Sequence, residues 1–239
     1  MSDTNAKIAA GADGCRGKWL VVMGPRVGAV DVFLASDFQE LLERTAAASS
    51  IMVDMPIGLD EVARRGGRSA DVAARKLLPG QTSSIFPAPP RAILGCQTYA
   101  EARRVCRESS PDGISISAQA FMIASKIAEI DRLLTPESQQ RVVEVHPELA
   151  FRARNGGVQL PRKKTPEGLK RRRELLDGSL CRALDRAALA LPKRDWGADD
   201  LLDAAVAFLV AHDHAQGKAR RVPEAPEVDA RGLRMEMWY

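Results

Sequence analysis

The sequence predicts an α/β fold: a mixed sheet of about five strands in the order 3-2-1-4-5, with helices on both faces and a helical insertion. Short apolar runs at 7–12, 18–23 and 28–34 are separated by the turns Asp13-Gly14-Cys15-Arg16-Gly17 and Gly24-Pro25-Arg26, so they read as hairpin-linked strands. A helical pattern then precedes a fully apolar run at 50–54, the type found in the middle of a covered sheet. A right-handed crossover places that fourth strand beside the first.

Ser36 or Asp37 caps the first helix, which runs to about Ala46 with Phe38, Leu41 and Leu42 on one face. Further helices are expected near 60–65, 69–78, 98–108 and 115–134. The prolines of Gln81 to Pro90 bar that segment from regular helix, because Pro lacks an N–H and restricts its predecessor. Residues 142–146 alternate, with Val143 and Val145 facing one way and Glu144 and His146 the other, and Pro147 ends the run. Thr165 as N-cap with Pro166 behind it starts a basic helix. Asp199 or Asp200 starts another that runs to about Gln216, with Gly217 as its stop signal. Gly232 to Tyr239 alternates enough to form a last edge strand. The whole reads as a single domain over 1–239, with the helical insertion at about 58–135 and a basic helical segment at about 160–190.

A chain of 239 residues can bury a core without staples, and its 45% hydrophobic and 28% charged content fits a soluble globular protein. No apolar run approaches the roughly 20 residues that span a bilayer, and none reads as a signal peptide, so no membrane association and a cytoplasmic location are expected. The scattered Cys15, Cys96, Cys106 and Cys181 form no C-x-x-C pair, which argues against disulfides or structural zinc.

The carboxylates are the informative residues. Asp13 and Asp54 each end an apolar strand, one before a glycine turn and the other before Met55-Pro56. Either alone could be a turn residue. Together they sit at the C-terminal ends of strands one and four, where α/β sheets gather their ligands. Residues 201–210 are apolar nearly all round except for Asp203, so that carboxylate is buried and needs a partner. Asp200 lies three residues away on the same face. Glu144 is the candidate fourth acid, and His146 could bind or relay a proton, although a structural histidine is the commoner outcome. Converging carboxylates of this kind build an oxygen-rich site for divalent metal.

Net charge is only +4, but seven Lys/Arg residues fall between Arg162 and Arg173 against the single acid Glu167. Such density either tracks a phosphate backbone or makes a solvated helix face. Arg68, Asp71 and Arg75 share one helix face, as an ion-pair ladder or as a phosphate clamp.

Seven ordered motifs together resemble a known group. They are Gly-Ala-Asp-Gly-Cys-Arg-Gly-Lys-Trp (11–19), Val-Asp-Met-Pro-Ile-Gly-Leu (53–59), Arg68-x-x-Asp71-x-x-x-Arg75, Ser-Ser-Ile-Phe-Pro-Ala-Pro (83–89), Glu-Val-His-Pro-Glu (144–148), Lys-Lys-Thr-Pro-Glu-Gly (163–168) and Asp-Asp-Leu-Leu-Asp-Ala (199–204). The chain resembles the uncharacterised family of predicted RNase H-like nucleases over almost its whole length. The resemblance implies an RNase H-like core and a two-metal site for Mg²⁺ or Mn²⁺. Asp13, Asp54, Asp200 and Asp203 would be its ligands, Glu144 would join the catalytic set, and Arg68, Arg75, Ser84, Lys163, Lys164 and His146 would lie along the substrate. It also implies phosphodiester hydrolysis of nucleic acid, DNA or RNA, with a homodimer left open. The late-helix acids look most like the Holliday-junction resolvase branch, from which the long insertion departs. Two alternatives stand beside this: a nucleotide- or sugar-phosphate-binding enzyme of the actin and sugar-kinase branch, faintly suggested by Asp13-Gly14 and Lys18, and a non-catalytic nucleic-acid-binding protein.

Overall fold

The computed structural model describes residues 7–239, which divide into two compact units. The first comprises the chain up to Asp54, Arg141–Arg220 and Trp238–Tyr239; the second comprises Met55–Gln140 and Arg221–Met237.

The first unit is built on a five-stranded mixed sheet. Its strands are β1 (Ile8–Cys15), β2 (Lys18–Pro25), β3 (Asp31–Ala35), β4 (Ser50–Asp54) and β5 (Val142–Glu144). Their order is β3-β2-β1-β4-β5, as the hairpins and crossover require. β1 pairs antiparallel with β2 and parallel with β4, while β5 joins β4 in parallel. The central β1 carries small residues, and Ala9, Ala10 and Ala12 are wholly buried between covering layers. The crossover helix α1 (Phe38–Arg44) begins at Asp37, whose side chain accepts the Glu40 N–H at 2.9 Å. Its Phe38 ring packs 5.5 Å from that of Trp19, on one face of the sheet.

Within the second unit lie α2 (Ser69–Leu77), α3 (Tyr99–Ser109), α4 (Ala118–Met122) and α5 (Ala124–Leu133). The helix expected at 60–65 does not form. Arg64 instead pairs with Asp60 at 2.8 Å beside the paired glycines Gly66 and Gly67, whose φ values of 85° and 83° suit a turn. The expected helix at 115–134 is split at Ile123.

Residues 147–220 add α6 (Pro147–Arg154), α7 (Pro166–Glu174), α8 (Gly178–Ala188) and α9 (Ala198–Ala215) to the first unit. The strand expected over 142–146 ends at Glu144, because His146 becomes the N-cap of α6 and Pro147 its first residue. α9 begins one residue earlier than expected: Gly197 is its N-cap and Asp200 reaches back to accept the Gly197 N–H at 2.8 Å. The terminal strand β7 (Arg234–Trp238) pairs with β6 (Arg221–Val228) in a two-stranded sheet, and its Trp238 makes one parallel bridge to Val145, just past β5; β6 carries Pro223 and Pro226 and does not read as a strand. Among the described residues no helix is long and apolar enough to cross a membrane, and the four cysteines are free.

Candidate functional site

Asp13 and Asp54 are register partners across the parallel β1–β4 pair. Adjacent strands lie about 4.8 Å apart and paired residues share a face, so the two carboxylates leave the sheet side by side. Gly11 and Met52, two residues earlier, are also partners and share that face. There α9 lies directly on the sheet. A Cβ on Gly11 would fall 2.0 Å from the Phe208 amide nitrogen and 2.4 Å from the Ala204 carbonyl oxygen, contacts that only glycine permits. This approach seats Ala204 over β1 and brings Asp203 toward Asp13. Gly11 was missed in the sequence; an isolated glycine inside a strand is the signal that marks it.

Asp203 is 2% exposed. Its Oδ2 accepts from Lys163 Nζ at 2.8 Å, while Oδ1 is buried with no hydrogen-bond partner among the described residues. Lys163 arrives on the segment before α7. That segment packs close because a Cβ on Gly168 would lie 2.0 Å from the Arg162 carbonyl oxygen. It is tied down by Arg172, whose Nη1 donates to the carbonyls of Pro161 at 2.8 Å and Gly168 at 3.0 Å. The same buried guanidinium grips both oxygens of Glu148, at 2.6 and 2.7 Å. This bidentate pair belongs to α6 and α7 and adds its charges to the surroundings of Asp203.

Negative charge exceeds positive in this cluster. Burial first, then the charges of Asp54, Asp203 and Asp200, pushes the Asp13 carboxyl well above the usual carboxylate range, against the opposing pull of Lys163. Burial and then Asp203 push Asp54 up to about 8, again opposed by Lys163. Burial raises Asp203 to about 6 despite the charge and hydrogen bond of Lys163. Burial works against the Lys163 ammonium, but Asp203, Asp54 and Asp13 outweigh it and hold its pKa above the ordinary value. A cluster so short of positive charge binds either protons or another cation. Among the described residues no group of three or more His, Cys, Asp or Glu side chains is arranged to hold a metal ion as it stands, and the ammonium of Lys163 occupies the cationic place beside Asp203.

A family model described as protein of unknown function (DUF429) matches residues 11–228. The chain belongs to this family. No curated protein and no solved structure matches it. The stretch shared with the DUF429 family runs from Gly11 past α9 and includes Asp13, Asp54, Glu148, Lys163, Arg172 and Asp203.

The other expected residues are placed variously. Asp200 is half-buried and uses one oxygen on the cap of α9, yet it lies close enough to raise Asp13. Glu144 pairs in register with Val53, so it leaves the sheet on the face opposite Asp13 and Asp54, although its charge still raises Asp54. His146 caps α6 and donates its backbone N–H to the Trp238 carbonyl at 3.3 Å. Lys164 is exposed.

Three expected substrate contacts lie in the second unit. Arg68 does not present a phosphate clamp: it is 1% exposed, bound to Asp71 Oδ1 at 2.7 Å and to the carbonyls of Ile57 and Gly58. Asp71, three residues on, captures the guanidinium inside the unit. Arg75 donates to the carbonyls of Ile85 and Gly66, and Ser84 to that of Gln81 at 2.6 Å. The basic run at 162–173 is also largely neutralised. Arg171 pairs with Glu174, Arg173 with Asp185, and Arg172 with Glu148.

Proposed function

We propose that this chain is an Mg²⁺- or Mn²⁺-dependent phosphodiesterase acting on nucleic acid, built on an RNase H-like core. The observation that carries the reading is the meeting of Asp13, Asp54 and Asp203 on one sheet face with less positive charge than the carboxylates require. Asp203 Oδ1 is buried and has no hydrogen-bond donor among the described residues, while Oδ2 takes Lys163. The sheet order 3-2-1-4-5, with acids on the first strand, the fourth strand and a late helix, is the arrangement that the family resemblance implies and supports the same reading.

Asp13, Asp54 and Asp203 would hold the ions, with Asp200 at the margin. Bound divalent ions would activate water and neutralise charge developing on a phosphodiester. Lys163 holds Asp203 Oδ2 at 2.8 Å. With 42% of its side chain exposed it can turn outward to an anionic phosphate oxygen. Arg172 and Glu148 position the Lys163 segment, and the apolar cover of α9 keeps bulk water from the inner face of the carboxylates.

Calorimetric Mn²⁺ titration of the wild type, Asp13→Asn and Asp203→Asn, with cleavage assays on single- and double-stranded DNA and RNA, tests the proposal. Mn²⁺ binding and phosphodiester cleavage should fall together in both variants. Wild-type protein that binds no Mn²⁺, or variants that bind it unchanged, would overturn the reading.

A further inference from the structure

The two-residue loop between β1 and β2 has positive φ at both positions, 42° at Arg16 and 82° at Gly17. This is the type I′ pattern, which favours Asn-Gly because Cβ crowds the backbone carbonyl in the left-handed region, a cost that glycine escapes and the short polar side chain of asparagine offsets by local hydrogen bonds. Among the described residues Arg16 is the non-glycine that adopts a positive φ. A backbone held against its preference marks a position where the side chain matters more than local comfort. The Arg16 guanidinium donates to the Arg194 carbonyl, and Lys18 binds Asp195 at 2.8 Å, so the hairpin tip is pinned to the turn before α9. Asp13 is three residues from that tip, and α9 begins at Ala198 just beyond the turn.

Four basic residues, Arg16, Lys18, Lys193 and Arg194, belong to the hairpin tip and this turn; Lys18 pairs with Asp195, and Arg194 lies 3.8 Å from the same carboxylate. Lys18 holds that carboxyl below its ordinary range, with help from Arg194 and Arg16. Positive charge remains in excess. Arg194 is 87% exposed and Arg16 is exposed, while Lys193 stands 4.1 Å over the Trp196 ring. The contrast with α7 is plain, since Arg171 and Arg173 there have acidic partners.

We infer that Arg16, Lys193 and Arg194 form a subsite for the phosphodiester backbone of a nucleic-acid strand running past the carboxylate cluster. This rests on the proposed nuclease reading and deepens it: the substrate is a strand with phosphates beyond the scissile one, not a mononucleotide. The strained arginine supplies a fork for phosphate oxygens at a position where asparagine would suit the turn better.

The test is fluorescence anisotropy of labelled oligothymidylate and oligouridylate, in chelator, over a range of KCl. The protein is the full chain as wild type, Arg16→Asn, the Lys193→Ala/Arg194→Ala pair, and a Lys170→Ala/Arg171→Ala control on α7. For a single strand each lost phosphate contact lowers the slope of log K against log salt by about 0.7. Arg16→Asn should lose about that much, the 193/194 pair about twice as much, and the α7 control nothing. Arg16→Asn makes the Asn-Gly pair that the turn favours, so its melting temperature should hold or rise while binding weakens. Unchanged slopes in the rim variants, an equal loss in the control, or no oligonucleotide binding by the wild type would overturn the subsite. Mn²⁺ titration of the rim variants should match the wild type. Salt slopes that fall as expected in a protein that binds no Mn²⁺ would overturn the nuclease reading while supporting the subsite, so the two fail separately. The two oligonucleotides distinguish RNA from DNA as the strand.

Discussion

Replacing Asp54 with asparagine should stabilise the metal-free protein, and the gain should depend on pH. Burial and Asp203 raise the Asp54 carboxyl from 3.8 to about 8. A raised folded-state pKa gives stability that is complete below the unfolded value and is lost as pH climbs through the folded one. From pH 3.8 to 7 the folded chain keeps a proton that the unfolded chain has released, at about 1.4 kcal/mol per pH unit. The metal-free wild type should therefore forfeit about 4 kcal/mol by neutrality at this one carboxyl. Asp54→Asn keeps the shape and is neutral throughout, so it avoids that loss. The two proteins should melt alike near pH 4 and diverge toward pH 7, where the variant should melt higher by roughly 8–16 °C for a chain of this size. Circular-dichroism melts in chelator across that range measure the gap. Saturating Mn²⁺ at pH 7 should stabilise the wild type and leave the variant unmoved. A variant that is less stable at every pH, or a gap that does not widen with pH, would show that Asp54 is ionised and partnered in the folded chain, and the charge reasoning would fail.

Two further substitutions probe the frame of the site. Gly11→Ala places a methyl 2.0 Å from the Phe208 backbone nitrogen, so α9 must move off β1; urea unfolding should show a loss of about 2–3 kcal/mol, with weakened Mn²⁺ binding, and a wild-type midpoint would disprove the close approach. Arg172→Met leaves the Glu148 carboxylate buried and unpaired, at a cost of about 3–5 kcal/mol, and adding Glu148→Gln should restore much of it. A double-mutant cycle with no coupling between them would refute the pairing.

Strand identities and order were legible because each signal is local. The Gly14-Gly17 hairpin, the Asp37 cap and the apolar run before Asp54 lie within a few residues of what they specify. The alternation of 142–146 was legible as well, but not its register: Val143 pairs with Met52 on the Asp54 face, so Glu144, expected as the fourth acid beside the aspartates, lies opposite them. Boundary errors came where a neighbour competed for the same residues. Pro147 turned the end of β5 into the start of α6, and Gly197 took the cap position expected of Asp199 or Asp200. The pairing of β7 with β6 went unread because Pro223 and Pro226 obscure the alternation of β6.

The charged residues divide along the same line. Which acids stand at strand ends, and that Asp203 interrupts an otherwise apolar helix, follows from spacing and periodicity along the chain. Which cation answers which acid does not. Lys163 meets Asp203 across 40 residues and Arg172 meets Glu148 across 24, through contacts that exist only after α9 has settled on Gly11 and the 161–163 segment on Gly168. Charge density in the 162–173 run left a phosphate track and a solvated helix face equally open, and folding supplied acids from α6, α7 and α8 that neutralise much of it. Periodicity is written residue by residue, whereas ion pairing decays over a few ångströms and is set by packing. The backbone plan of this site was therefore open to reading in one dimension, and its electrostatics became readable in three.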